Sequence, residues 1–359
     1  MPTSILFSKN TRKGFKTRDM KGRFVGLSLL FALLSLLISC DKDEVASDES
    51  SPDITEGYVL YAYIGDNTTH LIDSLGVDVK TWSSSYSASG SCYLSENKNL
   101  LRLGKLPRVN NGSFSTGGLV AGVLEELDDN SEVVWSVQKA DDEATFHHDF
   151  KEIDTNTIIA LSWELRTYND ADYWNEVIIV LDKTDNSIIW EWSAMDDGGM
   201  FPANNDKADY LHFNSVDYKD GNILVSSRNQ NTLYIINKDS KAITHSITGA
   251  GTLSGQHDAT FLDNGNVLVF NNVAATNSST VLEITQADEL VWSYTGNFYS
   301  NRISGAQRLG SGNTLICSGV EGRFIEVTEA GEMVWDFTPE ITNTSKPSEV
   351  FKIRKYSDY

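Results

Sequence analysis

Gln256-His257-Asp258-Ala259-Thr260-Phe261-Leu262 is a strand-like run, and Asp263-Asn264-Gly265-Asn266 behind it is a tight-turn signal, because Asn-Gly tolerates positive φ. Val267-Leu268-Val269-Phe270, Thr280-Val281-Leu282-Glu283-Ile284 and Glu289-Leu290-Val291-Trp292-Ser293-Tyr294 follow. Together they read as four short strands, rich in β-branched and aromatic residues and joined by turn residues. The closing Trp recurs at Trp82, Trp135, Trp190, Trp292 and Trp335, with His245 in the equivalent place of the remaining copy. These six marks lie 53, 55, 55, 47 and 43 residues apart. A period of that size with four strands per unit predicts an all-β fold: a six-bladed β-propeller, each blade of four antiparallel strands. No segment of helical period is long enough to compete.

The ends of the chain complete the ring. Before Trp82 only three strands fit, Tyr58–Ile64, Thr69–Asp73 and Val79–Ser83, and after Trp335 one remains, Glu349–Tyr356. If that last strand supplies the missing first strand of blade one, the propeller closes without exposed edges. Six blades then occupy residues 57–359 and leave no room for a second domain.

The N-terminus reads as an address. Residues 9–23 are basic, and Phe24 to Ser39 form an uncharged, Leu-rich run too short for a comfortable membrane span. Leu37-Ile38-Ser39-Cys40 resembles a bacterial lipobox, so residues 1–39 are expected to be a signal peptide and Cys40 a lipidated N-terminus. Asp41-Lys42-Asp43-Glu44 resembles the export tag of surface lipoproteins in the Bacteroidetes, and residues 40–56 suit an acidic tether. The expectation is an outer-membrane lipoprotein, facing the periplasm or the cell exterior. Of the 359 residues, 29 are Lys or Arg and 50 are Asp or Glu, a net charge of −21 that becomes −27 without residues 1–39. Such a surface repels phosphate backbones, which excludes nucleic acid as a partner. It also means that an anionic substrate needs a local cationic pocket. Two cysteines remain beyond Cys40; in an oxidising compartment Cys92 and Cys317 can pair or stay buried as free thiols.

The first strand of a propeller blade lines the central channel. Three consecutive repeats place a His at its leading end, His148, His212 and His257, with Ser304 at the corresponding position of the last repeat. Arg228 ends the second strand of blade four, and in an antiparallel pair that end lies beside the start of the first strand, near His212. Asn214 is two residues beyond His212 and so shares its strand face. Trp163 and Asn272 hold the Arg228 register in the flanking blades. Imidazoles, a guanidinium, an amide and an indole on one rim suit an aromatic anion.

His147-His148-Asp149-Phe150, Tyr210-Leu211-His212-Phe213-Asn214-Ser215-Val216-Asp217, Ser226-Ser227-Arg228-Asn229-Gln230 and Gln256-His257-Asp258-Ala259, in this order, resemble the bacterial arylsulfate sulfotransferases. The resemblance extends over most of residues 57–359. It implies a periplasmic or surface six-bladed propeller that moves a sulfuryl group from a phenolic sulfate donor to a phenol acceptor through a sulfohistidine. Carried over, His257 is the nucleophile, while His212 and Arg228 bind the sulfuryl oxygens and assist proton transfer, with Asn214 beside them. His148 is the further site histidine, unless its neighbour His147 is the match. Well-known members of the family are longer, with an additional N-terminal β domain and larger insertions between blades.

The chemistry is sensible on its own terms. Transfer from a sulfate monoester rests on positioning and charge stabilisation, as phosphoryl transfer does. A neutral imidazole is a competent nucleophile near neutral pH, a phenolate with a conjugate acid of pKa about 10 leaves readily, and arginine donors match an oxyanion. No cofactor or nucleotide donor is called for, and the chain carries no Gly-x-x-x-x-Gly-Lys phosphate loop. Two rivals differ in class. Three histidines on one rim can hold Zn²⁺ or Cu²⁺, although a guanidinium in the same pocket repels a cation, so no metal ligand is assigned. A surface propeller can also bind a ligand or partner without turnover.

Overall fold

The computed structural model describes residues 53–106, 114, 118–203, 206–273, 275–340 and 348–359. Residues 1–39 and the expected lipidation site Cys40 therefore lie outside the described residues. Six sheets of four antiparallel strands stand in a ring, and no helix occurs among the described residues. Blade five has the strands expected of it: His257–Phe261, Val267–Asn271, Thr280–Ile284 and Leu290–Tyr294, in spatial order from the inside out. The inner strands of blades two, three, four and six are Ser87–Leu94, Ala144–Asp154, Phe213–Lys219 and Gly305–Arg308.

Blade one closes the ring as the sequence predicts. Its inner strand is Arg354–Tyr356 from the C-terminus, paired antiparallel with Tyr58–Ala62 through Leu60 opposite Arg354 and Tyr58 opposite Tyr356. The pairing is shorter than expected. Val350 makes a separate bridge to Tyr63, and residues 351–353 between the two contacts are in no strand. That break lets Lys352 reach the centre of the ring.

Packing explains the sequence pattern. Second and third strands such as Asn222–Ser227 and Thr232–Asn237 are flanked by a sheet on each face, so they read as continuous apolar runs. Each of the six largest apolar clusters fills one gap between neighbouring blades; the gap between blades three and four holds Ile159, Ile178, Trp192, Phe213, Val225 and Ile236 among others. The outer strands face solvent, and the recurring Trp on them has a bonding reason. Its indole N–H donates to the turn between the third and outer strands of the next blade: Trp135 to Asn186 Oδ1 (2.8 Å), Trp190 to Lys238 O (3.0 Å), Trp292 to Glu329 O (2.9 Å) and Trp335 to Ser74 O (2.9 Å). In four blades the repeat mark is thus a latch to the next; in blade one the Trp82 indole is buried with its N–H unpartnered, and blade four carries His245. Cys92 and Cys317 are both buried free thiols.

Candidate active site

The inner strands of blades two to five break register with their neighbours near the leading end, between Ala88 and Cys92, Phe146 and Phe150, Phe213 and Val216, and His257 and Thr260. Such bulges re-aim side chains. His148 and His212 carry φ of 50° and 54°, and in blade five the left-handed residue is Asp258, φ 57°. Non-glycine residues adopt this region at a cost that packing or hydrogen bonding has to offset. Here it swings imidazoles off the strand face and towards each other.

His148 and His212 meet edge to face, ring centroids 4.7 Å apart. Gly118 lies against both: a Cβ there would stand 3.4 Å from His148 Nε2 and 3.6 Å from His212 Cε1. The segment carrying Gly118 is tied to blade three, with the His148 N–H donating to Leu119 O at 3.1 Å and the Ala121 N–H to Phe146 O at 3.0 Å. Arg228 sits just beyond the strand Asn222–Ser227, and its N–H donates to His212 O at 3.0 Å, which places it beside His212 as the strand geometry implied. Its guanidinium donates to Asn229 Oδ1 and has no carboxylate within ion-pair distance among the described residues. A half-buried cation left unpaired on an acidic protein is an anion site in waiting; burial lowers its pKa and Asp209 opposes that. A cavity of about 530 Å³ opens here, lined by Gly118, Trp174, Asp209, His212, Arg228 and Asn229 among others.

His257 lies deeper. Its Nδ1 faces Asn272 Oδ1 at 2.8 Å and Gly255 O at 3.0 Å, both acceptors, so Nδ1 holds the proton and Nε2 the lone pair. Nε2 accepts a long bond from the Ile303 N–H, 3.2 Å. Burial first, then Arg228 and His212, hold its pKa down to about 3 against the Asn272 bond, so the ring is neutral at ordinary pH. His148 is likewise pushed well below the usual imidazole range by burial, His212, His147, His257 and Arg228. Side-chain exposure is 14% for His212, whereas His148 and His257 are each 2% exposed as residues. His148, His212, His257 and Arg228 therefore form one electrostatic cluster.

Four other expected residues are placed differently. His147 is bonded to the His148 ring through the two Nδ1 atoms at 2.9 Å and stacks on Trp163 at 4.0 Å and 9°, and burial, then His212, brings its pKa down to about 3. His148, not His147, faces the cluster. Trp163, expected against the substrate, is fully buried and donates to Glu176 Oε1 at 2.9 Å. Asn272 is committed to protein on both ends of its amide, accepting from His257 and donating to Ser300 O (2.7 Å) and Ile303 O (2.9 Å). Asn214 does not share the face of His212, because the bulge and the positive φ intervene; it is buried and donates to Gln256 O at 2.7 Å. All four side chains are fully buried and held by protein contacts.

A second buried layer escaped sequence reasoning. Asp149 and Asp258, each the residue after a site histidine, meet Lys352 Nζ at 2.8 and 2.9 Å. Arg354 donates to both oxygens of Asp258, 2.8 and 2.5 Å, and Ser91 (2.5 Å) and Tyr93 (2.8 Å) donate to Asp149 Oδ1. Burial pushes the Asp258 carboxyl up, but Arg354 and Lys352 outweigh it and leave it below the ordinary range. Gly305 belongs to this layer, since a Cβ there would fall 2.1 Å from Asp258 Oδ2. No group of three or more His, Cys, Asp or Glu among the described residues is arranged to hold a metal ion.

The family model described as Arylsulfotransferase (ASST) matches residues 108–340. The chain belongs to the arylsulfotransferase family. That match contains His148, His212, Arg228 and His257, and excludes Lys352 and Arg354. No curated protein matches the arylsulfotransferase chain in sequence. Among solved structures it is similar to a protein of unknown function from Bacteroides caccae, at 12% identity over 83% of this chain and 98% of that one, TM-score 0.58. It is also similar to a catalytically inactive virginiamycin B lyase from Staphylococcus aureus with quinupristin, at 11% identity over 81% and 88% of the two chains, TM-score 0.48. At these identities the likeness is one of fold.

Proposed function

We propose that this arylsulfotransferase moves a sulfuryl group from a phenolic sulfate to a phenol by a ping-pong route through a sulfohistidine on His257. The observation that carries the reading is the unpaired Arg228 guanidinium beside three clustered imidazoles, one of them a neutral ring with its Nε2 lone pair directed by Asn272. Arg228 binds the sulfuryl oxygens and fixed donors of this kind match a tetrahedral oxyanion. The sulfur approaches His257 Nε2, and the long Ile303 N–H contact yields to it. The aryl oxygen leaves on the side of the cavity, where His212 is exposed. A second phenol then takes the sulfuryl group along the same path in reverse. Membrane attachment through Cys40 belongs to the same proposal, and it sets the site outside the cytosol, where a phenolic sulfate replaces a nucleotide donor.

The test is release of nitrophenol from 4-nitrophenyl sulfate by the full-length protein, with and without a phenol acceptor, beside His257→Ala. The expected result is acceptor-dependent release, a covalent sulfuryl adduct in the intact mass when the acceptor is withheld, and loss of both in the variant. A folded wild-type protein inert towards a broad series of aryl sulfates overturns the reading and leaves a binding propeller in its place.

A further inference from the structure

Asp209 lies three residues before His212, outside any strand, and its Oδ2 takes the His212 Nδ1–H in a very short contact. Its other oxygen, Oδ1, is buried with no hydrogen-bond partner. Among the described residues His212 is thus the one side chain that hydrogen-bonds this carboxylate, which also acts electrostatically on Arg228. The backbone around it is stitched in place: the Asn229 side-chain amide donates to Asp209 O (2.8 Å), the Asn229 N–H to Leu211 O (3.2 Å) and the Gln230 amide to Tyr210 O (3.2 Å). His212 has a positive φ, its Cε1 lies 3.6 Å from where a Gly118 Cβ would stand, and the residue lines the cavity.

We infer that Asp209 is a positioning residue that makes His212 the proton shuttle of both half-reactions; the inference rests on the transferase reading above. With Nδ1–H committed to the carboxylate, only Nε2 can exchange a proton with a ligand in the cavity, and the imidazolium formed there has a counter-ion at its other nitrogen. In the first half-reaction His257 Nε2 bonds to sulfur and the sulfur–aryl oxygen bond breaks. The electron pair leaves with the oxygen, which takes the proton from His212 Nε2, so a phenol departs and His212 is neutral. In the second, the acceptor phenol gives its proton to His212 Nε2 as its oxygen bonds to sulfur and the nitrogen–sulfur bond breaks. Charge and protons balance with no other reactant.

An acid that protonates the leaving oxygen matters most when the phenol is a poor leaving group. The experiment compares 4-nitrophenyl sulfate with phenyl sulfate in the full-length protein and in Asp209→Asn, an isosteric change. General acid–base assistance is worth about 10²–10⁴-fold, so kcat on phenyl sulfate is expected to fall about 10²-fold or more, and on the activated nitrophenyl ester about tenfold. In a His212→Gln background, which stands in should the single variant fold poorly, Asp209→Asn is expected to add no further loss in kcat, because the carboxylate reaches proton transfer through that ring, its action on the Arg228 charge bearing on binding. Equal fractional losses on the two esters, or multiplying losses in the double variant, overturn this assignment while the transferase reading stands. A folded wild type inert on both esters overturns the two together.

Discussion

Two buried polar layers lie one residue apart along the inner strands, and they meet the cost of burial in opposite ways. His148 and His257 are kept uncharged, their pKa values driven down by burial and by the neighbouring His212 and Arg228. Asp149 and Asp258, their immediate successors, are ion-paired, both with Lys352 and Asp258 also with Arg354, cations that arrive from the C-terminal end of the chain. The difference teaches where function can sit. A neutral buried imidazole keeps a lone pair for chemistry, whereas an ion cluster with every partner satisfied can only hold its neighbours still. In the proposed reading, then, the reactive layer is mounted on an inert one.

The sharpest way to break the comparison is to spoil the charged layer. Asp258→Ala leaves Lys352 and Arg354 buried beside one remaining carboxylate, Asp149, and removing one partner of a buried ion pair costs about 3–5 kcal/mol. Denaturant unfolding should show a fall in stability of that size. A loss below about 1 kcal/mol, the range of an exposed pair, would mean that the cluster is hydrated and not the rigid base inferred here.

The neutral layer predicts a different signature. His257 has a folded pKa of about 3, against about 6.5 for an unperturbed imidazole. Between those values the unfolded chain binds the proton and the native one does not, so stability falls as pH drops from about 6.5 towards 3, by about 1.4 kcal/mol per pH unit. His257→Asn should remove that slope relative to wild type between pH 6.5 and 5, measured by urea unfolding at each pH. Parallel curves for the two proteins would show that His257 is protonated in the native state, and would count against a neutral nucleophile.

The same contrast explains what the sequence could disclose. The Trp period is legible because four of the six blades meet the next through the same indole bond; Trp292 to Glu329 and Trp335 to Ser74 repeat a single geometry. His148, His212 and His257 are legible for the same reason, as departures at one register of a repeat. Asp209 is not, since it lies in an irregular approach to blade four that no other blade copies. Lys352 and Arg354 are invisible because their partners are fixed only when residue 352 returns past residue 149 on ring closure. Trp163 and Asn272 hold the Arg228 register but are taken up by protein, Trp163 by Glu176 and Asn272 by His257, Ser300 and Ile303, while a bulge beside Asn214 breaks the alternation on which its face assignment rests.

The smallest expected effect concerns the latch itself, on the side of the ring farthest from chemistry. Trp292 stacks under Arg308, 4.6 Å from ring to guanidinium carbon, and spends its indole N–H on Glu329 O. Trp292→Phe keeps an aromatic face and removes only the hydrogen bond, at an exposed edge where water replaces the lost donor. The expected cost is about 0.5–1.5 kcal/mol, with activity on aryl sulfates unchanged. Thermal unfolding beside an activity assay reads both. If activity falls while stability holds, the outer latch communicates with the inner strands, and the separation of a passive rim from a reactive centre is wrong; an unchanged rate with the modest stability loss shows that the repeat maintains the ring while the inner residues alone perform the transfer.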